Sequence, residues 1–525
     1  MALFGDVKNE SSIQNVPIEE PVGGWDDKRH GNAYDQRDMG RMGKRQELRR
    51  NFHFFSIFGY AVILGNTWEF ALVTGIFSIT NGGTAGAIWM FLVTCFGMFF
   101  VMLSMAEMAS IAPTAGGQFH WVSEFAPKSS QKFLSFAVGW FCVLGWQSAL
   151  VGCGIACAQQ VEAIISLSIG DSYVIKGWHG ALLSIGFIVV SILFNTVLIR
   201  RLPLFQGVVF FLHIFGFFAF VVVLWVLGPR SNAEDVFTQF SDNGWGSVGL
   251  SCLIGILAPI VTLIGADSSC HLSEELRDAA WVLPRAMVAT ACVNYFVAFF
   301  MTITFMFVLG DVDEALSTPT GSPYVQVIFN ATQSKGATIA MVCIVGALLF
   351  GCTINQVTTS SRQLYAFARD NGLPFSSFLA RVRPGFDVPV NALVITLIVT
   401  AILSLITIGS PIAYAVISSI SLIGLLSSYL IAIGILIWRR LFGEPFPTSR
   451  FNLGVFGLPI NIIAVCFLII AWIFMFFPTS PNPTAADMNW NVVVYGATVI
   501  FFLAYYFFRA RHVYVGPVEY INKDI

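Results

Sequence analysis

Twelve apolar runs of about twenty residues, joined by short polar connections, constrain this chain more than any other feature it has. A helix of about 20 residues crosses the hydrocarbon core of a bilayer. Inside lipid only helices and closed barrels satisfy every backbone hydrogen bond. Barrel strands would be about half as long and would alternate in polarity, so the runs predict an all-α polytopic membrane protein. On that ruler the spans lie near residues 53–78, 85–109, 132–160, 180–199, 203–228, 247–272, 286–310, 336–356, 389–409, 412–438, 455–477 and 490–508. Composition agrees, since 56% of the 525 residues are hydrophobic and only 11% charged, too few charges to cover a soluble surface.

An even number of crossings returns both termini to one side. Cytoplasmic connections carry an excess of Lys and Arg. With the N-terminus inside, all but Lys176, Arg230 and Lys335 of the 28 basic residues fall on the cytoplasmic side. That distribution predicts cytoplasmic termini, with a disordered tail over 1–50, a transporter domain over 51–510 and a second tail over 511–525. Low apolar content is the reason for expecting disorder in the first tail. The sequon Asn330-Ala331-Thr332 falls in an external connection, which makes Asn330 a glycosylation candidate. The plasma membrane is the expected address, with the vacuolar membrane as the alternative.

Polar groups at mid-membrane are expensive, a charge costing roughly 2.5–3.5 kcal/mol on insertion scales. Few are present, so each is informative. Span 1 carries Gly65-Asn66-Thr67-Trp68-Glu69 at its centre, span 6 carries Gly265, Asp267, Ser268 and Ser269, and span 5 carries His213. Glycine with small polar residues in the middle of a long span predicts a broken helix. The freed backbone groups must then face a cavity inside the bundle, because lipid cannot pair them. Half-helix ends offer N–H groups to an anion and C=O groups to a cation. Interrupted spans five apart are the pattern of a transporter built from two inverted repeats. Other readings stay open for each residue. Asn66 and Glu69 could be a hydrogen-bonded pair that fastens helices, and Asp267 could cap the second half of span 6. His213 could be a packed neutral ring or a titrating one, and Trp146-Gln147 could be core.

Catalytic constellations are missing: there is no HExxH, no GxSxG and no glycine-rich phosphate loop with lysine, and the seven histidines are scattered. The ten cysteines lie in or beside apolar runs without CxxC spacing, which suits helix packing. The chain therefore reads as a non-enzyme that needs no cofactor, metal or nucleic acid.

Four stretches carry a resemblance: "GNTWEFALVTGIFSITNGG", "MAEMASIAPTAGGQFHWVSEFAP", "IGADSSCHLSEELRDAAWVLPRAM" and, in the connection expected after span 8, "SSRQLYAFARDNGLPFSSFLARV". From about residue 50 to 510 the chain resembles the amino acid–polyamine–organocation superfamily, specifically the fungal amino acid/choline permeases that include GABA and choline transporters. The resemblance implies a LeuT-type five-plus-five inverted repeat, with repeats over about 51–228 and 245–438 and extra spans over about 455–508. It implies a substrate held at the breaks by Gly65, Asn66 and Thr67 of span 1 and by Thr262, Ile264, Gly265 and Asp267 of span 6. Trp146, Gln147 and Asn355 would line the walls. Family members are usually proton-coupled, and His213 stands near the position of a titrating span 5 lysine in some bacterial relatives, which makes it the proton-coupling candidate. Glu69 stands where relatives often carry an uncharged residue, so that Trp68 and Glu69 are expected to meet a cationic group. The function implied is secondary active transport of an amino acid or related amine such as GABA, with choline, polyamine or secondary-metabolite amine transport, or nutrient sensing, as alternatives.

Overall fold

A computed structural model describes residues 31–44, 46–198, 201–382, 388–409, 412–485 and 488–517. Among the described residues, twelve helices are long and apolar enough to cross a membrane. They are Phe54–Thr80, Gly83–Ile111, Gln131–Ile169, Gly177–Thr196, Leu204–Leu227, Val248–Glu275, Ala279–Val308, Lys335–Arg369, Val390–Ile408, Tyr414–Phe442, Gly454–Phe474 and Asn491–Val513, numbered spans 1 to 12. Most limits match those expected from hydropathy. Span 8 does not: it continues through Arg369, so that "SSRQLYAFAR" is helix rather than connection. Hydropathy stops the span early because its last turns are polar, and these turns are buried by partners described below.

Spans 1 and 6 are each in two parts. Span 1 is Phe54–Gly65 followed by Thr67–Thr80 (1a and 1b). Span 6 runs as Val248–Ile254 and Leu257–Leu263 (6a), then a 3-10 helix Ala266–Glu275 (6b). The halves pack crosswise, 1b on 6a and 1a on 6b, while span 2 packs on span 7 and span 3 on span 8. Each of these pairs joins elements five spans apart, as expected of a five-plus-five repeat. Spans 1, 3, 6 and 10 are the most enclosed. Lipid supplies no hydrophobic drive between helices, so close packing of small residues holds such bundles. Spans 3 and 10 touch in this way, since a Cβ on Gly424 would lie 2.8 Å from the Gly145 nitrogen.

The face from which span 1 starts is closed by charge. Within the 1–50 region expected to be disordered, residues 33–41 form a helix; residues 1–30 lie outside those described. Asn32 and Asp35 form a reciprocal capping box at its start, at 2.9 and 3.1 Å. Asp35 also accepts from the N–H groups of Asp278 and Ala279 at the head of span 7, at 2.9 and 3.0 Å. Arg50 is buried and donates to Asp35 and to the carbonyls of Ser273 and Leu276. Arg369 of span 8 grips Glu274 with two bonds of 2.8 and 2.7 Å, Arg362 meets Glu275 at 2.9 Å, and Lys44 pairs with Asp370. The partners Ser273, Leu276, Asp278, Ala279 and Asp370 lie more than two hundred residues away along the chain, so composition gave no sign of its docking.

Candidate functional site

The span 1 break turns at Asn66, whose φ of 45° and ψ of 47° are left-handed. Asparagine tolerates that region better than most residues. Gly65, expected to permit the break, is instead the last residue of 1a. Glycine is needed there for close approach, because a Cβ would lie 2.5 Å from Asn294 Nδ2 of span 7. Two carbonyls near the end of 1a accept from neighbouring spans, Val62 O in addition to its helical partner, the Asn66 N–H. Asn294 Nδ2 donates to Val62 O at 3.2 Å and the Cys352 thiol to Leu64 O at 3.0 Å. Thr67 Oγ1 in turn donates to Asn294 O at 2.9 Å. The span 6 break turns at Gly265, whose φ of 107° a side chain would strain.

Between the two breaks lies a cavity of about 70 Å³. Leu64, Gly65 and Phe70 bound it from span 1, Trp146, Ala149 and Cys153 from span 3, and Ile264 and Gly265 from span 6. Gln356 closes it from span 8, and Tyr414, Ser418, Ser421 and Leu425 from span 10. No lining residue carries a charge. A larger cavity of about 460 Å³ opens toward the opposite face, beside Asn81, Asn243, Ser419 and Asn489. Tyr414 borders both cavities.

Of the residues expected at the site, Gly65, Trp146, Ile264 and Gly265 line the inner cavity, and the others are placed elsewhere. Glu69 and Trp68 turn toward span 5. Glu69 Oε1 is 2.8 Å from His213 Nδ1, both side chains being fully buried. Trp68 Nε1 donates to the His213 carbonyl at 3.1 Å, and its ring meets Phe220. With its amide nitrogen turned toward Glu69, which satisfies both ends, Asn66 donates to the two carboxylate oxygens at 3.0 and 3.2 Å. Asp267 is likewise occupied, accepting from Tyr429 Oη at 2.6 Å and from Gln118 Nε2 at 2.7 Å. Thr262 donates to Ala258 O at 2.8 Å, and Gln147 to Thr396 Oγ1 at 3.1 Å. Asn355 donates to Tyr60 O at 3.1 Å and accepts from Gln206 at 3.1 Å, which ties spans 1, 5 and 8 together. The sequon residue Asn330 lies in a helix, where its amide donates to Glu314 and accepts from Gln326.

Gln356, Tyr414, Ser418 and Ser421 are lining residues that sequence reasoning passed over. Gln356 adjoins the residue chosen in span 8, but about 100° of helical turn separates neighbours. The serines of "YAVISSISLIGLLSSYL" were a readable polar stripe in span 10.

Residues 53–499 match the amino acid permease family. The chain is 28% identical to amino-acid permease BAT1 of Arabidopsis thaliana over 510 residues, covering 91% of this chain and 95% of that one. It is 25% identical to the choline transporter of Saccharomyces cerevisiae over 480 residues, covering 91% and 84%. In fold it is similar to MhsT, solved in complex with L-phenylalanine, with a TM-score of 0.57, 16% identity, and coverage of 81% of this chain and 98% of that one. The fold is thus the LeuT type.

Proposed function

Since the chain belongs to the amino acid permease family, a family of transporters within the amino acid–polyamine–organocation superfamily, we propose that it carries a neutral zwitterionic amino acid across the plasma membrane by alternating access, coupled to protons. The observation that carries this reading is the meeting of two helix breaks at one uncharged cavity. At the span 1 break, N–H groups at the start of 1b would hold a carboxylate. Carbonyls at the ends of 1a and 6a would hold the ammonium. With no charged side chain in the lining, a substrate with an extra net charge would be left without a partner, which burial penalises.

Proton coupling in this reading uses the pair Glu69 and His213. It joins 1b to span 5 outside the cavity, so its protonation would act on the position of 1b rather than on the substrate directly. His213 Nε2 has no partner among the described residues, which leaves one ring nitrogen open to a proton in this reading. The face closed by the N-terminal segment is taken as cytoplasmic, because that is where the basic residues collect.

Purified protein in proteoliposomes with an imposed pH gradient tests the reading: labelled neutral amino acids should accumulate when the outside is acidic. Ala149→Phe, which fills the cavity, should abolish uptake with delivery to the membrane intact, and normal uptake in that variant rejects the site. A second reading, a quaternary amine such as choline, draws on the aromatic residues Phe70, Trp146 and Tyr414 around the cavity. Competition by choline in the absence of competition by amino acids would select it. Binding without flux would select a sensor.

A further inference from the structure

Gln356 is 2% exposed and lines the inner cavity, and its side-chain Nε2 has no hydrogen-bond partner among the described residues. Its amide neighbours in the bundle behave otherwise. Asn355, Gln147, Gln160 and Gln206 each bond to an adjacent span or to their own backbone. A carboxamide buried in a membrane bundle without a partner is costly and is rarely kept for packing. Trp146, also a lining residue, repeats the pattern: it is buried, and its indole Nε1–H has no acceptor among the described residues. Its ring meets His271 edge-on at 5.4 Å. The remaining polar side chains of the lining are the Cys153 thiol and three hydroxyls, and one of these, Ser421 Oγ, is spent on the Gly145 carbonyl at 3.0 Å.

Resting on the reading of this cavity as the substrate site, we propose that Gln356 is a specificity-determining residue. With Trp146 it hydrogen-bonds an uncharged polar group, a carboxamide or a hydroxyl, on the variable part of the substrate. A purely aliphatic side chain would seal the cavity with the amide and the indole N–H unpaired. A charged one would find no counter-ion. Only a neutral group with an acceptor oxygen answers both donors, and a carboxamide also supplies an N–H to the Gln356 oxygen. Sites built to hydrogen-bond a substrate group discriminate strongly against analogues that lack it, whereas apolar pockets discriminate weakly between near isosteres.

The experiment is competition against labelled alanine uptake in proteoliposomes, using two near-isosteric pairs: glutamine with methionine, and threonine with valine. In the wild type the polar member of each pair should inhibit about tenfold more strongly, the order expected when one buried donor is left unpaired. Gln356→Leu should level or invert the glutamine-to-methionine ratio. This ratio is independent of how much protein is folded and delivered. Should Gln356→Leu fail to reach the membrane, Trp146→Phe, which removes the N–H and keeps an aromatic ring, should compress the same ratio. Alanine uptake with equal inhibition within both pairs, or a ratio unmoved by Gln356→Leu and Trp146→Phe, overturns the specificity role and leaves the transport reading standing. Absence of alanine uptake together with carriage of choline overturns both.

Discussion

Replacing Gly65 by alanine pits two effects of opposite sign against each other. Gly65 is helical with ordinary dihedrals, so alanine should stabilise the end of 1a by about 1 kcal/mol on propensity alone. Against this, the new Cβ would lie 2.5 Å from Asn294 Nδ2, well inside the 3.4 Å at which ordinary contact begins. The amide cannot retreat without giving up its 3.2 Å bond to Val62 O. Overpacking of this kind costs about 1–3 kcal/mol. If the amide swings aside instead, the clash is relieved at the expense of that bond, a net cost of about 0.5–1.5 kcal/mol, since Val62 O keeps the Asn66 N–H at 3.1 Å. With the amide held in place the clash outweighs the propensity gain by roughly 1 kcal/mol, close to a fivefold loss of the correctly broken conformation where 1.4 kcal/mol is tenfold. Initial uptake rate and heat inactivation of the detergent-solubilised protein read the effect. Truncating the obstacle with Asn294→Ala should rescue Gly65→Ala, so that the double variant is better than additivity predicts by about 1–3 kcal/mol. Strict additivity, or a Gly65→Ala protein as stable and active as the wild type, would refute the close-approach account.

Three further expectations follow from other parts of the molecule. Glu69→Gln and His213→Gln should each uncouple uptake from the imposed pH gradient while substrate still exchanges at equal pH, measured as counterflow; a retained gradient response in both variants removes the pair from coupling. Arg50→Ala should loosen the N-terminal segment, because it leaves Asp35 and the Ser273 and Leu276 carbonyls short of a buried donor, a loss of about 3–5 kcal/mol for a broken buried pair; limited proteolysis between residues 31 and 50 should accelerate, and unchanged cleavage would count against docking. His120, in the short helix Gln118–Phe125 between spans 2 and 3, is held well below the usual histidine range, first by burial and then by the positive charges of Lys44, Arg369 and Arg41 against the opposing Glu274. Its folded form therefore stays neutral where the unfolded form takes a proton, so stability should fall as pH drops below about 6.5, with a slope approaching 1.4 kcal/mol per pH unit; His120→Leu should flatten the thermal-stability profile there.

The sequence by itself determined the number of crossings, the identity of the two broken spans and the family. These rest on local quantities: a run long enough to span lipid, and glycine or asparagine where a membrane helix should have neither. Gly65 and Gly265 could be placed at the cavity on that basis. The direction in which each neighbouring side chain points could not, because it depends on which span packs against which side of a helix. Asn66, Glu69 and Asp267 looked like ligands for a substrate since a polar group in a membrane needs a partner. Tertiary packing supplies those partners from within the protein: His213 for Glu69, Glu69 for Asn66, and Tyr429 with Gln118 for Asp267. The same rule, applied to a folded chain, singles out what remains unpaired. Gln356 and Trp146 were unremarkable as letters, and only the assembled bundle makes them lining residues of a cavity with Nε2 and Nε1 unpaired among the described residues. Hydrogen-bond demand is written in the sequence, but which demands are met inside the protein is decided by contacts between residues far apart along it.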